Sequence, residues 1–256
     1  MTVYRQMAIV PLLFVLLAGA AAAPTTSPAT APAADVEMGK KLGRKLPVVN
    51  LNGVSLGHFL DFVRDAGGVN VIVNWRELAH EKVSERRAVN FAGRDVEVGQ
   101  MLRKVLDSTG SKISFDAKEG AVYVTSRLDL FARAGDVRVK GDESDASARV
   151  NEALDKTVQD VHLESVRLRA AFELVEESLQ VPVEVDWRAL EEAGVADDEP
   201  ITLHLRKPTG AQVLYWTIRL LPQKAPVVFT VREGKVVVMK GAARKPEGGG
   251  DTARGR

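Results

Sequence analysis

The chain has 256 residues, no cysteine, and 35 basic against 34 acidic residues, for a formal net charge of +1. This balance gives no reason to expect nucleic acid or an anionic membrane surface as the main partner. Aromatic residues make up 5% of the chain, which leaves few stacking platforms for single-stranded nucleic acid. Without cysteine the chain has neither disulfides nor thiolate metal sites, so its units must rely on their apolar cores.

The N-terminus has the pattern of an export signal. Arg5 supplies a positive charge, the run Met7–Ala18 is almost wholly apolar, and small residues follow it. We expect cleavage near Ala22 or Ala23, which makes residues 1–23 a signal peptide and the mature chain periplasmic or secreted. The alternative is an uncleaved membrane anchor, but the apolar run is shorter than the ~20 residues that span a bilayer. No integral membrane span is therefore expected after signal removal.

Three segments have the composition of linkers or tails. Residues 24–45 begin with a Pro/Ala/Thr-rich stretch, which predicts a disordered linker. Residues 242–256 are rich in glycine and basic residues and predict a disordered tail. Residues 127–156 are mostly polar and predict a linker, within which Leu128 to Val139 is a candidate for an extra strand.

An internal repeat sets the domain organisation. The octet that starts at Val71 (VIVNWREL) returns at Val183 (VEVDWRAL), and the match continues without a gap on both sides. The matching positions upstream and downstream are mostly apolar and periodic, so the repeat reports a scaffold. The sequence therefore predicts two units, residues 46–126 and 157–241.

Each unit begins with a short strand and an amphipathic helix. Pro47 to Leu51 is the strand in the first unit, and Ser55 is a plausible N-cap for the helix that follows. The apolar residues of this helix recur on one face. They are Leu56, Phe59, Leu60 and Val63. Gly67-Gly68 is expected to end the helix.

The alternation of Val69, Val71 and Val73 predicts a second strand with one buried face. Pro182 lies inside the corresponding stretch of the second unit, which favours an edge position in the sheet because proline cannot donate to a ladder. A short turn that begins with a tryptophan follows this strand in both units.

The remaining elements of each unit are a third strand, a second amphipathic helix and a closing hairpin. Lys118-Glu119-Gly120 and Arg232-Glu233-Gly234 connect the hairpin strands and predict a three-residue loop, a type I turn with a G1 bulge. The order is β-α-β-β-α-β-β, twice. This order predicts an α+β fold in which two helices of each unit pack on small mixed sheets.

The run from Leu51 to Leu78 resembles the short N-terminal domain shared by secretins and TonB-dependent receptors. It is most similar to the version in secretin-like exported proteins of planctomycetes and related bacteria. The resemblance covers both units and implies a periplasmic protein-binding module. In secretins this domain contacts inner-membrane components, and in receptors it signals to an anti-sigma regulator. The sequence has no counterpart of the long pore-forming β-domain of full secretins, so we expect only the binding module to carry over.

No residue pattern predicts a catalytic, cofactor-binding or metal site. The chain has no P-loop, no dinucleotide fingerprint and no G-x-S-x-G. The histidines, His58, His80, His162 and His204, lack the spacing of metal ligands. We therefore expect no enzymatic activity and no cofactor.

The candidate protein-binding residues combine the alternating strand with tryptophan and arginine, which are enriched at binding hot spots. They are Val69, Val71, Val73, Trp75, Arg76, Trp187, Arg188 and Trp216. The alternative for Trp75 and Trp187 is that each indole covers the core of its own unit. Trp216 has no counterpart in the first unit, and the apolar segment around it indicates packing between the units or against a partner.

The sequence thus predicts an exported, non-enzymatic protein-binding module of the periplasm or cell envelope. The resemblance suggests an accessory role in a secretion or pilus-type system. The expected mechanism is edge-strand pairing, with Val69 to Asn74 as the preferred strand. Two alternatives stay open, a cell-wall polysaccharide-binding or hydrolytic protein and a homo-oligomer that assembles into a structural ring.

Overall fold

Residues 33–110, 112–132 and 137–242 are described in the computed structural model. The predicted signal peptide, 1–23, and residues 243–256 of the predicted tail lie outside these ranges. The first repeat runs through α1 (Ala33–Leu42), β1 (Lys45–Ser55), α2 (Leu56–Gly67), β2 (Asn70–Val73), α3 (Trp75–His80), β3 (Ala88–Glu97), α4 (Val98–Thr109), β4 (Ile113–Lys118), β5 (Ala121–Ser126) and α5 (Arg127–Ala132).

The second repeat follows the same order from its first helix to its closing hairpin, and α5 has no counterpart in its described part. Its elements are α6 (Asp145–Asp155), β6 (Val161–Arg167), α7 (Leu168–Leu179), β7 (Val183–Val185), α8 (Trp187–Glu192), β8 (Pro200–Leu205), α9 (Gly210–Arg219), β9 (Val227–Arg232) and β10 (Lys235–Lys240). The predicted α+β class, with small antiparallel and mixed sheets in tandem, is confirmed.

Each repeat divides its strands between an antiparallel pair and a three-stranded mixed sheet. β1 pairs with β3, and β6 pairs with β8. In the mixed sheet of the first repeat, β5 lies between β2, to which it is parallel, and β4, to which it is antiparallel. In the second repeat, β10 lies in the same way between β7 and β9. β2 and β7 are therefore edge strands, and Pro182 immediately precedes β7 instead of lying within it.

The two repeats share individual hydrogen bonds as well as element order. A bulge interrupts β1 and β6 at the same place, where Gly53 N–H donates to Asn90 Oδ1 (2.7 Å) and Ser165 N–H donates to Thr202 Oγ1 (3.1 Å). The helix signals of the first repeat behave as predicted, because Ser55 caps α2 and the helix ends at a left-handed Gly68. The repeated sequence pattern therefore encodes a repeated backbone.

The linker predictions are wrong where the structure has helices α1 and α6. The offset between the starts of these two helices equals the offset between the two copies of the octet, so the repeat is longer than its sequence pattern indicated. Met38 of α1 and Val150 and Leu154 of α6 are buried against the core of their own repeat. Tertiary packing therefore stabilises helices in segments whose composition alone favoured linkers.

The candidate extra strand between Leu128 and Val139 also needs correction. Its first part is helical, in α5. Its last part runs beside β9, where Phe229 N–H donates to Val137 O (2.8 Å) and Val139 N–H donates to Phe229 O (2.9 Å). Within the described part of this segment, only a short bridge at Arg138 has strand character.

The hairpin loops have two residues instead of the predicted three. Lys118 belongs to the predicted loop, but in the structure it pairs with Ala121 in the β4–β5 ladder. The two loop residues both have positive φ, 48° at Glu119 and 70° at Gly120, and the Glu233-Gly234 turn has the same signs. Positive φ at both positions defines a type I′ turn, whose twist matches that of the flanking strands.

Apolar side chains form two clusters, one centred on each repeat. The cluster of the second repeat also takes in three residues from the outer face of the first mixed sheet: Ile72, Ala121 and Tyr123. The ring centroid of Tyr123 lies 5.3 Å from that of Trp216 on α9. The second repeat therefore covers the face of the first sheet that points away from its own core.

Candidate functional site

A groove lies between edge strand β2 of the first repeat and strand β8 of the second. Its volume is about 480 Å³, which is within the range of ligand-binding clefts. Residues 71–76 line one side, residues 200–204 line the other, and α2 contributes Leu60, Asp61 and Arg64. The groove is lined by both apolar and charged groups, and no other strand of the described chain pairs with β2 on this side.

The backbone of β2 directs hydrogen-bonding groups into this groove. Asn74 N–H donates to Val124 O (2.9 Å), so the backbone groups of residues 70, 72 and 74 face β5. Those of Val71 and Val73 consequently face the opposite edge. Val71 O accepts a bond from Arg64 Nη2 (3.3 Å). The N–H groups of Val71 and Val73 and the carbonyl of Val73 are then the groups that an added strand would meet.

Contacts between the repeats close both ends of the groove. At one end Asn70 and Arg206 exchange two bonds, Asn70 Nδ2 to Arg206 O (3.2 Å) and Arg206 N to Asn70 Oδ1 (2.8 Å). Arg206 also forms an ion pair with Asp65 (2.7 Å). At the other end Arg76 forms an ion pair with Glu199 through two long side chains. At the Asn70 end the contact therefore involves backbone groups of Arg206, whereas the contact at the Arg76 end joins side chains only.

Arg64 and His204 are two basic side chains that line the groove. Arg64 pairs with Asp61, yet its Nε is buried without a hydrogen-bond partner, as is Nε2 of His204. The His204 ring stacks on that of His162 with 3.8 Å between centroids. Burial, followed by the charges of His162 and Arg64, lowers the pKa of His204, which favours a neutral imidazole at this wall.

A buried polar network lies behind β2. The Asn74 side chain caps α3 by accepting from Glu77 N–H, and its Nδ2 donates to the Tyr123 hydroxyl (3.0 Å). Tyr123 in turn donates to Asp129 Oδ2 (2.8 Å), which also accepts from Thr125 (3.0 Å). Burial and then the charge of Asp129 raise the pKa of Tyr123 far above its usual value, so the hydroxyl stays protonated. The network fixes the end of β2, where the chain turns into α3.

Four of the predicted binding residues line the groove. They are Val71, Val73, Trp75 and Arg76. The side chains of Val69 and Val71 are buried in the core of the first repeat, at 2% exposure each, so a partner would reach Val71 only through its backbone. Val73, Trp75 and Arg76 are half-buried. Val73 and Trp75 also pack against the core of the first repeat, as the alternative for Trp75 predicted.

The other predicted residues lie elsewhere. Trp187 is half-buried beside Phe172, and the guanidinium carbon of Arg169 lies 4.6 Å from the centre of its ring. Arg188 is exposed on α8. Trp216 is 1% exposed, and its Nε1 donates to Glu119 O (3.3 Å). Trp216 thus packs between the repeats, which is one of the two positions that the sequence indicated, and its side chain offers no surface to a partner.

No sequence signal pointed to the residues that pair across the groove or across β6 and β8. His162 and His204 lie opposite each other in the β6–β8 register although the whole of α7, β7 and α8 separates them in the chain. In the described part of the chain, no three histidine, aspartate or glutamate side chains are placed to hold a metal ion. None of the helices within the described ranges combines the length and hydrophobicity needed to cross a bilayer.

No protein-family model, curated protein or solved structure matches the chain.

Proposed function

We propose that the chain is an exported, non-enzymatic protein-binding module of the periplasm or cell envelope. The observation that carries this proposal is the groove beside β2, where an edge strand directs backbone groups into a cleft that β8 borders on the other side. An extended segment of a partner protein would pair with Val73 and use side chains to contact Trp75 and the β8 wall. Backbone pairing would supply affinity and the groove walls would supply selectivity.

The partner segment would enter from the Arg76 end. The Arg76–Glu199 ion pair closes that end with long, partly exposed side chains, and such a pair contributes only about 1 kcal/mol or less. The Asn70–Arg206 end involves backbone groups and is harder to open. A partner residue with a carboxylate could replace Glu199 beside Arg76 as the segment enters.

Two sequence features support the envelope setting of this proposal. The N-terminal pattern is typical of an export signal, and the resemblance to the short domain of secretins and TonB-dependent receptors implies periplasmic protein contacts. Fractionation of cells that produce the chain, with determination of the mature N-terminus, tests the setting. We expect a periplasmic or secreted product that begins close to Ala23.

Site-specific photocrosslinking tests the binding role. A photoreactive amino acid at Thr202, exposed on the β8 wall, should give one discrete adduct with an envelope protein in intact cells. The same amino acid at Lys104, exposed on α4 and away from the groove, is the control and should not give that adduct. The proposal fails if Thr202 yields no adduct or the same adducts as Lys104.

The variant Val73→Pro tests whether the backbone of β2 takes part. Proline removes the N–H that faces the groove and leaves the β5 ladder intact, which edge strands tolerate. We expect the Thr202 adduct to disappear while the far-ultraviolet circular dichroism spectrum stays native. Val185→Pro makes the equivalent change in β7, outside the groove, and should leave the adduct unchanged.

A further inference from the structure

We propose a second peptide-binding site, on the outer edge of β6 beside α7, for an extended segment of another protein that alternates apolar and basic residues. This site is distinct from the β2 groove, on a different strand edge, and does not depend on the function proposed for that groove. Three features of the second repeat carry the inference: a strand edge without a neighbouring strand in the described chain, an apolar pocket beside that edge, and acidic side chains along the strand.

The register of β6 shows which backbone groups face outward. Val158 N–H donates to Pro208 O (2.8 Å), so the backbone groups of even-numbered residues in this stretch face β8. Those of Gln159, Val161 and Leu163 therefore face the opposite edge. In the described chain β6 pairs with β8 alone, so this edge carries no other strand.

An apolar pocket of about 170 Å³ opens between this edge and α7. It is lined mainly by aliphatic side chains of β6, α7 and the first turn of α9, among them Leu163, Leu174, Val175 and Leu179. An apolar cavity of about 150 Å³ is large enough for benzene, so this one accepts a single branched or aromatic side chain. Leu174 is 44% exposed at its mouth, so an apolar side chain already lies where an incoming one would pack.

The first repeat has the same edge and the same helix, but both are blocked. Pro47 occupies the outward-facing position that corresponds to Gln159, and proline offers no N–H to an added strand. Phe62 corresponds to Leu174, and its larger ring is partly buried against the core of the first repeat. One scaffold thus has a closed version of the site in the first repeat and an open version in the second.

Three acidic side chains lie beside the open site. Asp160 and Glu164 are exposed on the face of the β6 stretch that also carries His162, and Glu177 is exposed on α7 one turn after Leu174. Glu164 also lines the β2 groove, whereas Asp160 lines the apolar pocket. On a strand added beside β6, every second side chain would lie on the face that carries the apolar pocket, where one of them would fill it. The others would lie on the opposite face, next to Asp160 and Glu164. Basic residues at those other positions would complement the acidic side chains. We therefore assign the site to a segment in which apolar and basic residues alternate.

The probe for this site is a fluorescein-labelled, acetylated heptapeptide, Lys-Val-Lys-Leu-Lys-Val-Lys, with the same peptide carrying glutamate for lysine as its counterpart. Fluorescence anisotropy with the full mature chain should show saturable binding of the basic peptide and at least about tenfold weaker binding of the acidic one. In heteronuclear NMR spectra the basic peptide should shift the amide signals of Val161 and Leu163.

Two variants copied from the first repeat test the geometry. Gln159→Pro reproduces Pro47, and Leu174→Phe reproduces Phe62; each should weaken the basic peptide at least about tenfold. Both positions are exposed, so the thermal transition should stay close to that of the wild type. Binding that neither variant weakens, or amide shifts confined to other surfaces, would overturn the proposal, as would equal binding of the two peptides.

The controls separate this site from the β2 groove and from self-association. Val73→Pro should leave heptapeptide binding unchanged, and Leu174→Phe should leave the Thr202 crosslink unchanged, so either site can fail without the other. If the unliganded chain dimerises in sedimentation and Leu174→Phe abolishes the dimer, the occupant is a second copy of this chain and the proposal of a foreign segment is wrong.

Discussion

Replacement of Trp216 with alanine should destabilise both repeats at once. The Trp216 side chain is 1% exposed and contacts Tyr123 of the first repeat and Tyr215 of the second, with ring centroids 5.3 and 4.9 Å away. Its indole N–H also donates to Glu119 O in the β4–β5 turn. Truncation therefore removes apolar contact and a hydrogen bond from the junction in one step.

The expected loss of unfolding free energy is about 4 kcal/mol, because alanine substitution of a buried tryptophan or phenylalanine costs about 3–5 kcal/mol. Native domains have only about 5–15 kcal/mol of stability. A loss of this size should lower the midpoint of thermal unfolding by roughly 10 °C in a chain of this length. It should also weaken the coupling between the repeats, so that their unfolding transitions separate.

Urea denaturation, followed by far-ultraviolet circular dichroism, measures both effects. The matched control is Lys104→Ala, at the equivalent position of α4, where the side chain is exposed and the change should stay within about 0.5 kcal/mol. A loss below about 1 kcal/mol for Trp216→Ala, with a single transition as in the wild type, would contradict the packing between the repeats.

Three smaller effects can be checked by the same denaturation assay. In the folded chain the pKa of His204 lies below its ordinary value of 6.5, chiefly through burial and then through the charges of His162 and Arg64. As the pH falls, His204 therefore takes up its proton at a higher pH in the unfolded chain than in the folded chain. The contribution of His204 to the free energy of unfolding should be constant above pH 6.5 and should fall as the pH drops toward the pKa of the folded chain. His204→Gln should flatten this pH dependence of stability. If the variant and the wild type lose stability equally with falling pH, His204 is not the group responsible. Ser55→Ala removes the N-cap of α2 and should cost about 1 kcal/mol, whereas Arg167→Ser supplies a cap that α7 lacks and should stabilise by a similar amount; equal midpoints for the two variants would refute the capping argument. Gly120→Ala places a Cβ 2.5 Å from Gln212 Nε2 at a residue with φ of 70°. We therefore expect the free energy of unfolding to fall by about 1–2 kcal/mol. An unchanged free energy of unfolding would mean that the turn readily rearranges.

The sequence predicted the local structure well because local signals determined it. The apolar face of α2, its serine cap and its glycine stop all lie between Ser55 and Gly68, and all three were confirmed. The alternating valines likewise identified β2. The hairpin type was missed because Lys118 and Glu119 give no sequence signal for which of them leaves the ladder.

The missed features depend on distant contacts. α1 has a weak apolar pattern, and it is held where Met38 reaches the core of the first repeat, so its composition favoured a linker. The groove beside β2 depends on contacts between residues far apart in the chain, such as Asn70 with Arg206. Four of its residues were on the predicted list, Val71 and Val73 as part of an edge strand and Trp75 and Arg76 as a pair of residue types enriched at binding hot spots. The opposite wall, β8, was predicted as a strand, but nothing in its sequence indicated a binding surface.

The junction between the repeats also bears on whether chains could stack on one another in the same way. On the first mixed sheet the junction uses Ile72, Ala121 and Tyr123. The corresponding residues of the second sheet are Glu184, Lys235 and Val237, and the first two form an ion pair on the sheet surface. The face that would have to receive the next repeat is therefore charged.

The complementary face is charged as well. Trp216 and Tyr215 of α9 correspond to Lys104 and Arg103 of α4, which are both exposed. A stack that continued from chain to chain would have to bury these cations against the Glu184–Lys235 pair, and burial of charges without matched partners is costly. Stacked repeats generally end in polar faces of this kind, which stop further addition. We therefore expect sedimentation equilibrium to show no assembly through this junction. If the chain forms a ring, the ring must use other surfaces, and the outer edges of β6 and β7 carry no further strand in the described part of the second repeat.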